Sequence, residues 1–228
     1  MALVVTLLGG ESTGKTTLEH ALCAQLQALG LSTLLVPEHL RQWCEARGRA
    51  PHADEQAALA LEQARLIDDA ARQATLQVVI ADTAPLVIAA YSELYFNDLS
   101  LLPDALRWQQ TVGLTLLMGL DLPWVSDGFF RDSPAVRDAT DAVLRRELQS
   151  AGLPFQTVYG QGKAREQQAL RAIGRALGPS LGGVLLAGNA DWASGRRPWS
   201  CEKCSDPDCE HRLFSGLLAR SADNSSTH

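Results

Sequence analysis

The sequence has few of the features that mark secreted, membrane-bound or nucleic-acid-binding proteins. Its 228 residues contain no apolar run long enough to span a bilayer, and the N-terminus lacks the basic region and cleavage site of a signal peptide. The net charge of −6 at pH 7 opposes a general affinity for nucleic acids or acidic membranes. Five cysteines in such a chain do not suggest a disulfide framework. We therefore expect a cytoplasmic protein with neither a membrane nor a nucleic acid as its partner.

Lysine is also rare, and one of the three lysines lies in a recognisable motif. The segment "VTLLGGESTGKTTLEHAL" matches the phosphate-binding loop pattern G-x-x-x-x-G-K-[ST], with Gly9, Gly14, Lys15 and Thr16 at the fixed positions. An apolar run precedes the loop, and leucines at helical spacing follow it. This strand–loop–helix context favours a triphosphate-binding loop over an ordinary glycine turn.

Each residue type in this loop has a physical role. Glycines permit backbone angles that let amide N–H groups surround phosphate oxygens, and the dipole of the following helix favours the same anion. We expect Lys15 to reach the β- and γ-phosphates of ATP and the hydroxyl of Thr16 to bind Mg²⁺. The predicted nucleotide-binding residues are Gly9, Gly10, Glu11, Ser12, Thr13, Gly14, Lys15, Thr16 and Thr17.

Strand and helix patterns alternate along the chain. The predicted strands lie within residues 2–8, 31–38, 76–82, 112–118 and 154–160, and helical patterns separate them. Such alternation predicts an α/β fold with a parallel sheet flanked by helices on both faces. With the phosphate-binding loop after the first strand, the expected fold is that of P-loop nucleoside triphosphate hydrolases and kinases.

Acidic residues follow the second and third predicted strands. Ligands of parallel sheets bind beyond the carboxyl ends of the strands, so both residues are candidates for the site. Asp82 is expected near Mg²⁺, and capping of the next helix is a second explanation. Glu38, with Arg41 close behind it, is a candidate base for a substrate hydroxyl, or else a carboxylate that favours a helix N-terminus. Thr83 stands where motor-type ATPases carry a glutamate, which argues against a motor.

The loop after the fourth predicted strand, "DLPWVSDGFFRD", mixes aromatic, acidic and basic residues. Its Arg131 and the later Arg137 are predicted to close over the nucleotide as a lid and to neutralise charge on the transferred phosphoryl group. The aromatic residues of the loop either exclude water, stack on a base or simply pack.

Three of the five cysteines lie close together near the C-terminus. Cys201, Cys204, Cys209 and His211 form a ligand set that tetrahedral Zn²⁺ takes, and the turn sequence "SDPD" can fold the second pair back on the first. A zinc ion bound there would be structural, because all four ligands come from the protein. Free thiols on a flexible tail and a redox-active pair are the alternatives.

The composition shifts towards Gly, Ser and Pro from about residue 178, which marks a linker or a change of structure. We predict an ATP-binding kinase-like domain over 1–177, a linker over 178–195, a zinc-binding appendage over 196–218 and a disordered tail over 219–228.

Taken together, several segments resemble one known family. "LLGGESTGKTTL", "VPE" with Arg41, "IADT" and "DLPWVSDGFFR" with Arg137 are similar to the ribosylnicotinamide kinase domain of NadR proteins, within the NadR/Ttd14 family of P-loop ATPases. The similarity covers roughly residues 3–177. It implies ATP- and Mg²⁺-dependent phosphorylation of the 5′-hydroxyl of ribosylnicotinamide. The DNA-binding and adenylyltransferase domains that can precede such a kinase are not in this sequence, and the C-terminal segment is additional.

The leading hypothesis is therefore a small-molecule kinase of NAD salvage, with Lys15, Glu38, Asp82, Arg131 and Arg137 as its catalytic residues and Thr16 and Asp82 as its Mg²⁺ ligands. The alternative is a regulatory ATPase or nucleotide switch that contacts a protein partner through the C-terminal Cys/His segment. No N-K-x-D motif for guanine recognition occurs, which argues against a GTPase.

Overall fold

A parallel five-stranded sheet forms the centre of the protein in a computed structural model that describes residues 1–125 and 133–187. The strands are β1 (Leu3–Leu8), β2 (Thr33–Val36), β3 (Val78–Asp82), β4 (Leu114–Met118) and β5 (Gln156–Val158). Their order is β2-β3-β1-β4-β5, and every neighbouring pair is parallel. The expected fold class is confirmed, and β1 with its following loop is central.

Helices connect the strands, and most of them begin or end where the sequence provides a signal. They are α1 (Lys15–Ala28), α2 (His39–Arg47), α3 (Gln56–Ala71), α4 (Pro85–Phe96), α5 (Leu102–Gln109), α6 (Pro134–Ser150) and α7 (Gly162–Ala187). Proline occupies the first turn of α4, α5 and α6, where its missing N–H costs nothing. Gly48 and Asn97 end α2 and α4 in the left-handed conformation.

The two faces of the sheet are covered by different helices because successive residues of a strand point in opposite directions. On one face Val5 and Leu7 of β1 pack with leucines of α1 and with Ile173 of α7. On the other face Leu8 packs with buried residues of α4, α5 and α6. The sheet is therefore buried on both sides, as its near-continuous apolar strands require.

The last helix is interrupted at the position where the composition of the sequence changes. Gly178 leaves helical geometry (φ 74°, ψ 176°), and Pro179 follows it. Beyond this kink, Gly182 approaches the backbone of Gly174, and Leu185 joins the core beside α1. The first ten residues of the predicted linker are thus part of α7, and the division into domains stays a prediction.

The sheet places all four polar connections of interest at one edge. The loop after β1, Glu38 after β2, Asp82 at the end of β3 and Gly119 after β4 all lie at the carboxyl ends of parallel strands. Among the described helices, none has the length and apolar character needed to cross a membrane.

Candidate nucleotide-binding site

The loop between β1 and α1 has the backbone shape that binds phosphate. Gly9 (φ 154°) and Gly14 (φ 78°) adopt conformations that favour glycine. A side chain on Gly9 would also begin 3.0 Å from Met118 Cβ. Ser12 takes a positive φ as well, and Thr13 Oγ1 donates to the carbonyl of Gly10 at 2.7 Å. The N-terminus of α1 carries no side-chain cap, so its first amides are available to an anion.

Lys15 is held inside this loop. Its Nζ donates to the carbonyls of Gly9 and Gly10, both at 3.0 Å, and the residue is 7% exposed. The ammonium group therefore bridges two carbonyls of its own loop and brings a positive charge into it. The role predicted for this lysine at the phosphates stays a prediction.

Thr16 and Asp82 meet at the base of the loop. Thr16 Oγ1 donates to Asp82 Oδ2 at 2.5 Å, and the other carboxylate oxygen of Asp82 is buried without a hydrogen-bond partner. A hydroxyl and a carboxylate at this position are the hard oxygen ligands that Mg²⁺ prefers, with phosphates and water completing its shell. The residues present therefore fit the ion, although the described residues contain no cluster of three or more Asp, Glu, His or Cys that could hold a metal.

Glu38 lies beside these groups at the start of α2. Its side chain is 11% exposed, and Oε2 lies 3.5 Å from Nε of Arg41. Burial raises the pKa of Glu38, against the opposing charge of Lys15. Arg41 also lines a cavity of about 80 Å³ over the loop, together with residues 11–17. The structure thus places Glu38, which follows β2, near enough to Lys15 and to Asp82 at the end of β3 for their charges to act on it.

The connection that follows β4 covers the phosphate-binding loop from the other side. The amide of Val125 donates to Ser12 Oγ at 2.8 Å, and a side chain on Gly14 would begin 2.8 Å from Leu122 Cδ1. Arg137, in the first turn of α6, donates to the carbonyl of Leu122 at 2.9 Å, and its side chain is 10% exposed. This arginine therefore anchors the connection in the structure, and its predicted role at the phosphoryl group stays a prediction.

Comparison with models of protein families identifies the family of this chain. A family model described as an AAA domain (AAA_28) matches residues 4–165, which is most of the chain. The protein belongs to this AAA domain family. The matched region extends from β1 to the first turn of α7 and contains every site residue described above. Among curated proteins, none matches the chain.

Solved structures similar to this AAA domain include two of NadR. One, described as NadR in complex with NR, has 24% sequence identity and a TM-score of 0.64, covering 78% of this chain and 52% of that chain. The other, in complex with NAD and AMP-PNP, has 22% identity and a TM-score of 0.60, covering 78% and 50%. This chain spans about half the length of each, and the likeness establishes a shared P-loop fold, confirming the resemblance inferred from the motifs.

One buried acidic residue of this AAA domain was not among the sequence candidates. Glu19 lies on α1, one helical turn after Lys15, and is 3% exposed. One of its oxygens has no hydrogen-bond partner, and the other lies 3.4 Å from His20 Nδ1. Burial, with the charges of Asp82 and Glu38, raises the pKa of Glu19 to about 8. The helical period gave a signal, because Glu19 occupies a core position between Leu18 and Leu22.

A buried arginine was missed in the same way. Arg165 is 4% exposed and lies on the inner face of α7, four residues before the buried Ala169. Its guanidinium donates to the carbonyl of Thr13 in the phosphate-binding loop at 2.9 Å. Burial lowers the pKa of Arg165, against the charge of Asp121. An arginine at a core position of a helix was the available sequence signal.

Two further points delimit the site. The predicted lid residue Arg131 and the zinc candidates Cys201, Cys204, Cys209 and His211 lie outside the described residues.

A larger cavity, about 290 Å³, opens at the other edge of the sheet, where β4 and β5 begin. It contains no charged side chain and no residue of the phosphate-binding loop, so we assign the site to the smaller cavity.

Proposed function

We propose that the protein is an ATP- and Mg²⁺-dependent kinase that phosphorylates a hydroxyl of a nucleoside-like small molecule, with ribosylnicotinamide as the first acceptor to test. The observation that carries this proposal is the hydrogen bond between Thr16 and Asp82 below a phosphate-binding loop whose amides are not capped. Glu38 lies near Lys15 of the same loop. The NadR structures support it by analogy, since their descriptions name NR in one case and AMP-PNP in the other.

The donor side of the proposed reaction is formed by the loop and α1. The amides of the loop and the N-terminus of α1 would receive the β- and γ-phosphates, and Lys15 would neutralise charge between them. Thr16 and Asp82 would hold Mg²⁺, which supplies positive charge to the phosphate oxygens when bound. Arg41, which lines the cavity over the loop, adds a second positive charge at its rim.

The acceptor side is assigned to Glu38. A general base works best when its pKa is close to the operating pH, and burial moves the pKa of Glu38 upwards in that direction. Its carboxylate would accept the proton of the acceptor hydroxyl while that oxygen bonds to the γ-phosphorus of ATP. The bond from this phosphorus to the β–γ bridging oxygen would break, and ADP would leave. Arg137 and Arg131 are proposed to balance the charge of the phosphoryl group in transfer.

The test is ADP formation from Mg·ATP by the purified protein, with and without ribosylnicotinamide and a panel of nucleosides. Phosphorylated ribosylnicotinamide, identified by mass, is the expected product. Stimulation by a different nucleoside would keep the kinase and change its acceptor. ATP hydrolysis that no small acceptor alters would contradict the kinase, and would favour a regulatory ATPase that acts on a protein partner through the C-terminal Cys/His segment.

A further inference from the structure

Arg165 connects three segments at the carboxyl edge of the sheet. Its guanidinium donates to the carbonyl of Thr13 in the phosphate-binding loop (2.9 Å), of Gly119 after β4 (3.4 Å) and of Gly160 after β5 (3.0 Å). These acceptors are far apart in the sequence, and the arginine that joins them comes from α7. A planar guanidinium with five N–H donors can serve several carbonyls at once, which a lysine ammonium cannot do in the same fixed geometry.

Asp121 completes this arrangement. Its Oδ1 accepts from Arg165 at 3.1 Å, and its Oδ2 accepts from the amide of Gly160 at 2.6 Å. The carboxylate therefore pairs with the buried cation and also ties the connection after β4 to the turn before α7. Gly160 adopts a positive φ of 90°, which lets the chain turn there. The buried charge is thus both compensated and fixed in position.

The contact with Thr13 has a direct consequence for the loop. The peptide unit between Thr13 and Gly14 is planar and trans, so its carbonyl and its N–H point in opposite directions. A hydrogen bond that fixes the carbonyl of Thr13 towards α7 therefore fixes the amide of Gly14 on the opposite side. Lys15 holds the carbonyls of Gly9 and Gly10 in the same way, by hydrogen bonds from its Nζ.

We propose that Arg165 is a positioning residue of the phosphate-binding loop: by holding the carbonyl of Thr13, it orients the loop amides that receive phosphate. It contacts the loop from the side of α7 and Gly119, and acts on the ligand only through the backbone. The inference rests on the proposed function, since it takes the loop to be a phosphate site. The inference goes beyond the proposed function because it names a residue 152 positions from Thr13 that controls the geometry of the loop.

The experiment compares Arg165→Lys and Arg165→Ala with the wild type, and uses Arg171→Ala as the matched control. Arg171 lies on the same helix, is half-buried and donates to the carbonyl of Gln167 in its own helix. Calorimetry would measure the affinity of each folded protein for Mg·ATP and for Mg·tripolyphosphate, which has no nucleoside. The temperature of unfolding would be recorded for each variant.

The expected result is that both ligands lose affinity by the same factor in the Arg165 variants, about tenfold or more, and that Arg171→Ala keeps the wild-type affinities. Lysine keeps the charge, so Arg165→Lys provides a folded variant if Arg165→Ala does not fold. Equal affinities in the wild type and Arg165→Lys would overturn the inference and leave a structural role.

Two other outcomes separate the possibilities further. Loss of affinity for Mg·ATP with unchanged affinity for Mg·tripolyphosphate would overturn the inference, because Arg165 would then serve the nucleoside end of the site. A wild-type protein that binds neither ligand would overturn the proposed function, and this inference with it.

Discussion

Replacing the buried Glu19 with glutamine should change how the stability of the protein depends on pH. In the folded protein, burial and the neighbouring Asp82 and Glu38 raise the pKa of Glu19 from 4.5 to about 8. Between these values the folded state keeps a proton that the unfolded chain releases. The stability that Glu19 contributes is therefore complete below about pH 4.5 and is lost as the pH rises through about 8.

The magnitude follows from the linkage of one proton to unfolding. The free energy of unfolding of the wild type should fall by about 1.4 kcal/mol per pH unit more steeply than that of Glu19→Gln inside this window. The full window corresponds to about 5 kcal/mol at most, since the charges around Glu19 adjust to one another. The two proteins should be similar near pH 5, and the glutamine variant should be the more stable near pH 8.

Urea denaturation at pH 5, 6, 7 and 8 measures this difference. Glu62→Gln provides the control, because Arg65 lowers the pKa of Glu62 and the stability from that pair is lost only at acidic pH. Its stability difference from the wild type should stay constant over the measured range. Parallel pH profiles for the wild type and Glu19→Gln would show that Glu19 is ionised in the folded protein, and would refute the reasoning.

Four further predictions concern the loop, the base and the C-terminal segment. Lys15→Ala should lower phosphoryl transfer by about a hundredfold or more while far-UV circular dichroism stays unchanged, because the lysine charge acts on the phosphates; near-wild-type turnover would exclude the mechanism. Glu38→Gln should lower kcat by about a hundredfold or more at an unchanged KM for ATP, and a change confined to KM would argue against a base. Gly14→Ala should cost about 1–2 kcal/mol of stability and weaken ATP binding, whereas Gly48→Ala, also at positive φ, should cost stability alone. Metal analysis should find zinc that is lost in Cys201→Ser, and a wild type without zinc would contradict the predicted appendage.

The sequence was sufficient where the deciding interactions are local. Gly9, Gly14 and Lys15 occupy a short motif between an apolar strand and an amphipathic helix, and the motif is recognisable from residues a few positions apart. The strand and helix patterns were also long enough to give the α/β class and the parallel sheet. The period of two or 3.6 residues is a property of the chain itself.

The tertiary structure decided which distant residues meet. Asp82 reaches Thr16 because β3 lies beside β1 in the sheet, and Glu38 approaches Lys15 because β2 is the next strand outward. The strand order β2-β3-β1-β4-β5 cannot be predicted from any single segment of the sequence. It depends on how the apolar faces of all five strands and their helices are buried together.

Glu19 and Arg165 show the same limit most clearly. In the sequence each is a charged residue on a helix, and the helical period indicates only that it faces inward. Burial, together with the charges of residues 19 and 63 positions later, raises the pKa of Glu19, and Arg165 acquires its role from a carbonyl 152 positions earlier. The sequence by itself determined the phosphate-binding loop and the class of fold, and the packed structure determined which charges surround that loop, because burial and Coulomb interactions depend on distance in space and not along the chain.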